Sequence, residues 1–144
     1  MNRMQKIAWS FVVTISVAFL LSCIAIAILY FKVGMPKALA GLGFMGIAGL
    51  GGFSPLIFQT EKGKVTLDER DRLINRRAAL AGFGASYLLV GLACMIPFFI
   101  LGPKASISVA WLPYIFGGAG LSMFFVHSAA ILVQYGRTGK GENS

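Results

Sequence analysis

Acidic residues are scarce in this chain of 144 residues: there are five, and none lies inside a long apolar run. That leaves no paired carboxylate within an apolar layer to couple an ion gradient. Histidine occurs once, as His127, so bis-histidine haem ligation within one chain is excluded. Cysteine occurs twice, and neither Cys23 nor Cys94 has a second cysteine or a histidine at metal-ligand spacing. Both read as small, buried, apolar residues, and no cofactor or metal is expected. Charge as a whole is sparse: 12% of residues are charged, against roughly 25% in soluble proteins.

What is abundant is apolar sequence, 57% of the chain, and the polar residues collect in short stretches between long apolar runs. A soluble protein spreads polar residues along every element to cover its outside. Clustering of this kind is the mark of a bilayer as solvent. The net charge of +8 does not point to nucleic acid, because the basic residues flank apolar runs instead of gathering on one solvated face. Anionic lipid headgroups are the partner this pattern implies.

Four runs, at about 7–31, 38–58, 78–101 and 107–135, each meet the requirement of about 20 residues to cross roughly 30 Å of hydrocarbon. The expected fold is all-α: an integral membrane four-helix bundle of two antiparallel transmembrane hairpins in one domain, with a loop at 59–77. Pro55, Pro97 and Pro113 fall within these runs, where kinks are expected. With the N-terminus inside, ten basic residues are cytoplasmic and three are external; the opposite orientation reverses that bias. The positive-inside rule therefore places both termini and the loop in the cytoplasm, in a multi-pass cell-membrane protein. Trp9 and Tyr135 at inner ends, and Tyr30, Trp111 and Tyr114 at outer ends, agree with those boundaries.

The basic start resembles a signal peptide and Leu20-Leu21-Ser22-Cys23 a lipoprotein cleavage box. The run is too long for the first, and the residues after Cys23 stay apolar, so neither processing event is expected. An internal echo links Gly34-Met35-Pro36-Lys37-Ala38 with Gly102-Pro103-Lys104-Ala105, and Ala48-Gly49-Leu50 with Ala119-Gly120-Leu121.

Helices in lipid associate through close backbone approach and interhelical hydrogen bonds, so small residues mark contact faces. Gly43, Gly46, Gly49 and Gly52, at steps of three, predict a packing groove on the second helix, with Gly41 and Gly51 beside it. Ala78, Gly82 and Ser86 predict the corresponding face of the third, and Gly117, Gly118 and Gly120 that of the fourth.

His127 is the ionisable residue at membrane depth. Counting back from Tyr135 puts it about 12 Å from the inner boundary, at 1.5 Å per residue. Ser86 and Tyr87, counted from Ala78, and Thr14 and Ser16, counted from residue 7, come to a similar level. They predict a polar layer in which His127 bonds to Ser86, Tyr87, Thr14 or a carbonyl.

In the loop, Thr66-Leu67-Asp68-Glu69 matches a capping box, so a helix should begin there, with Asp68 and Arg72 as an i,i+4 pair. Leu67, Leu73, Ile74 and Ala78 form an apolar stripe suited to the membrane surface. The run Asp68-Glu69-Arg70-Asp71-Arg72-Leu73-Ile74-Asn75-Arg76-Arg77-Ala78-Ala79 resembles a segment of small, uncharacterised prokaryotic multi-pass membrane proteins grouped as a domain of unknown function. There an Asp-Glu-Arg element precedes an isoleucine, then basic residues and alanines entering a transmembrane helix between two hairpins. The resemblance implies a bacterial or archaeal multi-pass membrane protein and assigns no activity.

No nucleophile, base and orienting group come together in this sequence, so an enzyme is not expected. The favoured function is a non-enzymatic interaction, accessory or regulatory protein that docks a cytoplasmic or membrane protein through Asp68, Glu69, Arg70, Asp71 and Arg72. The alternative is a small transporter or channel, acting as a homo-oligomer and using the polar layer around His127.

Overall fold

The computed structural model describes residues 3–35, 37–58 and 69–140, and these are helical with no strand among them. The elements are α1 (Arg3–Val33), a 3₁₀ segment (Lys37–Phe53), α2 (Ser54–Ile57), α3 (Glu69–Leu101), a 3₁₀ turn (Val109–Trp111) and α4 (Leu112–Lys140). Four helical stretches, Arg3–Val33, Lys37–Ile57, Glu69–Leu101 and Val109–Gly136, are long and apolar enough to cross a membrane. The chain divides into two compact units, Met1–Thr66 and Leu67–Ser144. Thr66 and Asp68, and with them the capping box and the Asp68–Arg72 pair, lie outside the described residues.

In the first unit, α1 buries Ala8, Ile15, Ala18 and Ser22, whose steps of seven, three and four draw one stripe along the helix. The 3₁₀ segment buries Ala38, Gly41, Ala48 and Gly51. A Cβ on Gly41 would fall 2.7 Å from the Ile26 backbone nitrogen, and one on Gly51 would fall 2.7 Å from Thr14 Oγ1 and 2.9 Å from Phe11 Cδ1. The contact thus moves backward along α1 as the chain moves forward along the 3₁₀ segment.

This second span is not the α-helix its apolar run predicts. Glycine is the poorest α-helix former after proline, and six of the 17 residues of the segment are glycine. A 3₁₀ helix rises about 2.0 Å per residue, so 17 residues cover roughly 34 Å, whereas an α-helix of that length would cover roughly 26 Å. Three residues per turn also set Gly43, Gly46, Gly49 and Gly52 in one line. That line is exposed and faces open space, so the expected packing groove is not the contact face; the offset glycines Gly41 and Gly51 are. At the far end of this span, the Arg3 guanidinium donates to the carbonyl oxygens of Phe58 at 2.5 Å and Pro55 at 3.4 Å. It satisfies carbonyls that a helix end leaves without an internal partner.

The second unit packs α3 on α4. Ile74, Ala78 and Gly82, four residues apart, form the buried ridge of α3, and Ala119, Ser128 and Ile131 are the buried residues of α4. Gly82 permits the closest approach, since a Cβ there would meet the Met123 carbonyl oxygen at 2.7 Å and His127 Cβ at 3.1 Å. Gly117, Gly118 and Gly120 face open space and take no part in this contact. Ser86 is half-buried, one step beyond the buried ridge.

The internal echo has a structural counterpart. Gly34 and Gly102 each stand at positive φ, +67° and +82°, immediately after a long helix, and each donates its N–H to the carbonyl four residues back. Only glycine takes this left-handed cap without strain. Ahead of each cap sits an edge-to-face aromatic pair, Tyr30–Phe31 and Phe98–Phe99, both with ring centroids 5.7 Å apart. Ala48 and Ala119 are both buried, while the glycine after each faces open space.

Two of the three prolines of the apolar runs stand at helix starts. Pro55 stands in the first turn of α2 and Pro113 in that of α4, where no backbone donor is needed. Pro97 alone lies inside a helix. Cys23 and Cys94 are exposed, not buried as their apolar surroundings suggest, because the outside of these helices is itself apolar. Phe31 is 86% exposed and Phe116 84%, whereas the buried apolar residues are alanine and isoleucine. Small residues inside and large apolar ones outside is the arrangement of helices solvated by lipid.

Candidate functional site

Four polar side chains of the second unit meet between the start of α3 and the later half of α4. Asp71 and Asn75 lie one turn apart on the side of α3 that turns to α4. On α4, His127 and Tyr135 lie on one ridge with the buried Ile131 between them. The Tyr135 hydroxyl donates to Asp71 Oδ1, and His127 Nε2 lies 3.0 Å from Asn75 Oδ1. An amide oxygen only accepts, so in this arrangement the His127 proton is on Nε2.

These two bonds set a register that the depth count missed. Aligning Ala78 with Tyr135 would put Ser86 beside His127; in the structure Tyr135 is opposite Asp71, seven residues earlier. His127 accordingly sits between Asn75 and Gly82, within a turn of Arg76 and Arg77. Its partner is Asn75, which is none of the groups expected from depth. Tyr87 is 80% exposed and turned from α4.

The remaining members of the expected layer, Thr14 and Ser16, belong to the first unit. Thr14 Oγ1 donates back to the Ser10 carbonyl oxygen at 2.8 Å, which satisfies it within α1. In the same unit Ser22 and Ser54 are fully buried, and their hydroxyls have no hydrogen-bond partner among the described residues. Small size suits both to the close contact, and nothing in the structure explains their polarity.

Of the expected docking residues, Glu69, Arg70 and Arg72 are exposed on the first turn of α3, while Asp71 is half-buried and engaged by Tyr135. Asp68 precedes the described part of the helix. Of the expected apolar stripe, Leu67 lies outside the described residues, Ile74 and Ala78 are buried on the side facing α4, and Leu73 is 51% exposed on the outer side. Asn75 and Tyr135 are the site residues that sequence reasoning passed over. The signal was the four-residue step, Asp71–Asn75 on one helix and His127–Ile131–Tyr135 on the other. Among the described residues no three His, Cys, Asp or Glu side chains come together as a metal-binding group.

One cavity of about 190 Å³ opens at the other end of the unit, lined by residues that include Cys94, Pro97, Phe98 and Ile107, with no charged group among its walls. No protein-family model, no curated protein and no solved structure matches this chain.

Proposed function

We propose that this chain is an integral membrane protein of four spanning helices in two antiparallel hairpins, with both termini and the start of α3 on the cytoplasmic side of a prokaryotic cell membrane. It acts without chemistry of its own, as an interaction or accessory protein, and its recognition element is the outward face of the α3 start. Membership of the domain-of-unknown-function group is part of this proposal and rests on residues 68–79. The apolar exterior of the helices supports insertion, and the distribution of lysine and arginine supports the orientation.

The observation that carries the reading is the continuity of α3. Glu69–Leu101 is one unbroken helix of 33 residues, roughly 50 Å long, and so exceeds the roughly 30 Å hydrocarbon layer by several turns. A rigid charged extension of a spanning helix presents Glu69, Arg70 and Arg72 in fixed geometry, which a flexible loop would not. Affinity purification of the full chain from its host in mild detergent, followed by mass spectrometry, tests the reading. A stoichiometric partner retained by wild type and lost with Asp68→Asn plus Glu69→Gln is the expected result; a partner indifferent to both substitutions rules it out.

The exposed glycine line on the 3₁₀ segment favours a second reading, a homo-oligomeric transporter or channel. A homo-oligomer with no other protein in the same purification would lead to liposome flux assays comparing wild type with His127→Leu.

A further inference from the structure

The register of α3 against α4 decides at what depth the arginines of α3 sit. Apolar sequence begins at Ala78 on α3 and ends at Tyr135 on α4, yet Tyr135 is bonded to Asp71. The apolar end of α4 therefore runs about 10 Å past Ala78, alongside the segment that holds Arg70, Arg72, Arg76 and Arg77. The headgroup zone on each face of a bilayer is roughly 5–7 Å thick. A segment flanked by apolar α4 on one side and carrying exposed Leu73 on the other runs alongside that zone as it leaves the hydrocarbon.

The helical repeat then sorts the arginines. With Ile74, Ala78 and Gly82 buried toward α4, Arg72 and Arg76 fall on one flank of α3 and Arg70 and Arg77 on the other. All four are exposed, and none forms an ion pair with a described residue. Asp71, the carboxylate among them, is turned to Tyr135. Four exposed guanidiniums on long side chains that reach the headgroup layer match the phosphodiesters of anionic lipids, which a guanidinium grips with two parallel N–H donors.

We propose that the start of α3 is a binding surface for anionic phospholipid headgroups, held by the Arg72–Arg76 and Arg70–Arg77 flanks. The proposal rests on the membrane placement argued above but not on the existence of a protein partner. Lipid on the arginine flanks and a protein on the same helix start are separate claims, and separate substitutions test them.

Native mass spectrometry of the detergent-solubilised full chain, titrated with phosphatidylglycerol or phosphatidylcholine of identical acyl chains, tests it. Wild type should retain phosphatidylglycerol in clear preference, and each arginine removed by Arg→Gln should cut that preference about fivefold. Arg72→Lys with Arg76→Lys, which keeps charge and removes the fork, should fall between wild type and the glutamine pair and serves if the glutamine variants do not stay folded. The proposal is overturned by equal retention of the two lipids, by a preference untouched in the arginine variants, or by an equal loss from Lys104→Gln on the opposite face. Capture of a soluble protein that depends on the arginines, with flat lipid preference, would overturn it by assigning them to that protein. Asp68→Asn plus Glu69→Gln removes negative charge and should not lower the preference for phosphatidylglycerol, so a failed partner experiment and a failed lipid experiment are told apart.

Discussion

At the scale of single residues, the pair Asn75–His127 shows how a polar group on an apolar helix is accommodated where two helices meet. A histidine facing α4's neighbour needs an acceptor, and Asn75 offers a fixed amide oxygen one turn from the buried Ala78. Removing either partner leaves the other to find water or a carbonyl, while removing both leaves nothing unpaired. A double-mutant cycle of Asn75→Leu and His127→Leu, read as unfolding free energy in mixed micelles, should give a favourable coupling of about 0.6 kcal/mol, with about 1.7 as the upper range for such bonds in a membrane. Coupling indistinguishable from zero would mean that the pair is in contact without contributing. Neither member was legible as a pair in the sequence: His127 stood out by its chemistry, but its partner depends on a helix register that no local pattern encodes.

At the scale of an element, the 3₁₀ segment separates its glycines by role. Gly41 and Gly51 face α1 with no room for a side chain, and Gly46 and Gly49 face open space. Gly51→Ala should lower stability by roughly 1–3 kcal/mol, because the new methyl presses on Thr14 and Phe11 in a packed contact. Gly49→Ala, by contrast, should be near neutral. Thermal unfolding of both variants in the same detergent checks the contrast, and equal losses would show that the exposed line is also packed. The spacing of three that suggested a groove was a true signal of the helix type, because three residues per turn align those glycines; it misled about the face. A sequence pattern reports which residues share a side of a helix, and the partner helix decides which side is covered.

At the scale of the whole molecule, the proposed orientation makes a direct prediction. After Cys23 and Cys94 are replaced by serine, single cysteines placed at Met35 or Lys104 should react with an impermeant maleimide added outside intact cells. A cysteine at Arg70 or Lys140 should react only after the membrane is opened. Labelling at Arg70 from outside would invert the topology and remove the cytoplasmic docking reading with it. The two turns where those outer cysteines sit are built alike, each with a glycine cap at positive φ after an edge-to-face aromatic pair. The equivalence extends the echo seen in the sequence from the cap residues to the rings four and three positions before them.

The sequence by itself determined the all-helical class and the approximate bounds of four stretches long and apolar enough to cross a membrane, because these depend on properties that each residue carries with it, above all hydropathy summed over a run. Only the tertiary structure decided that Gly41 and Gly51 rather than their neighbours make the contact, and that Tyr135 lies opposite Asp71. These features arise from side chains far apart in the chain meeting at one register. A shift of seven residues moves a polar group about 10 Å in depth without changing any local preference.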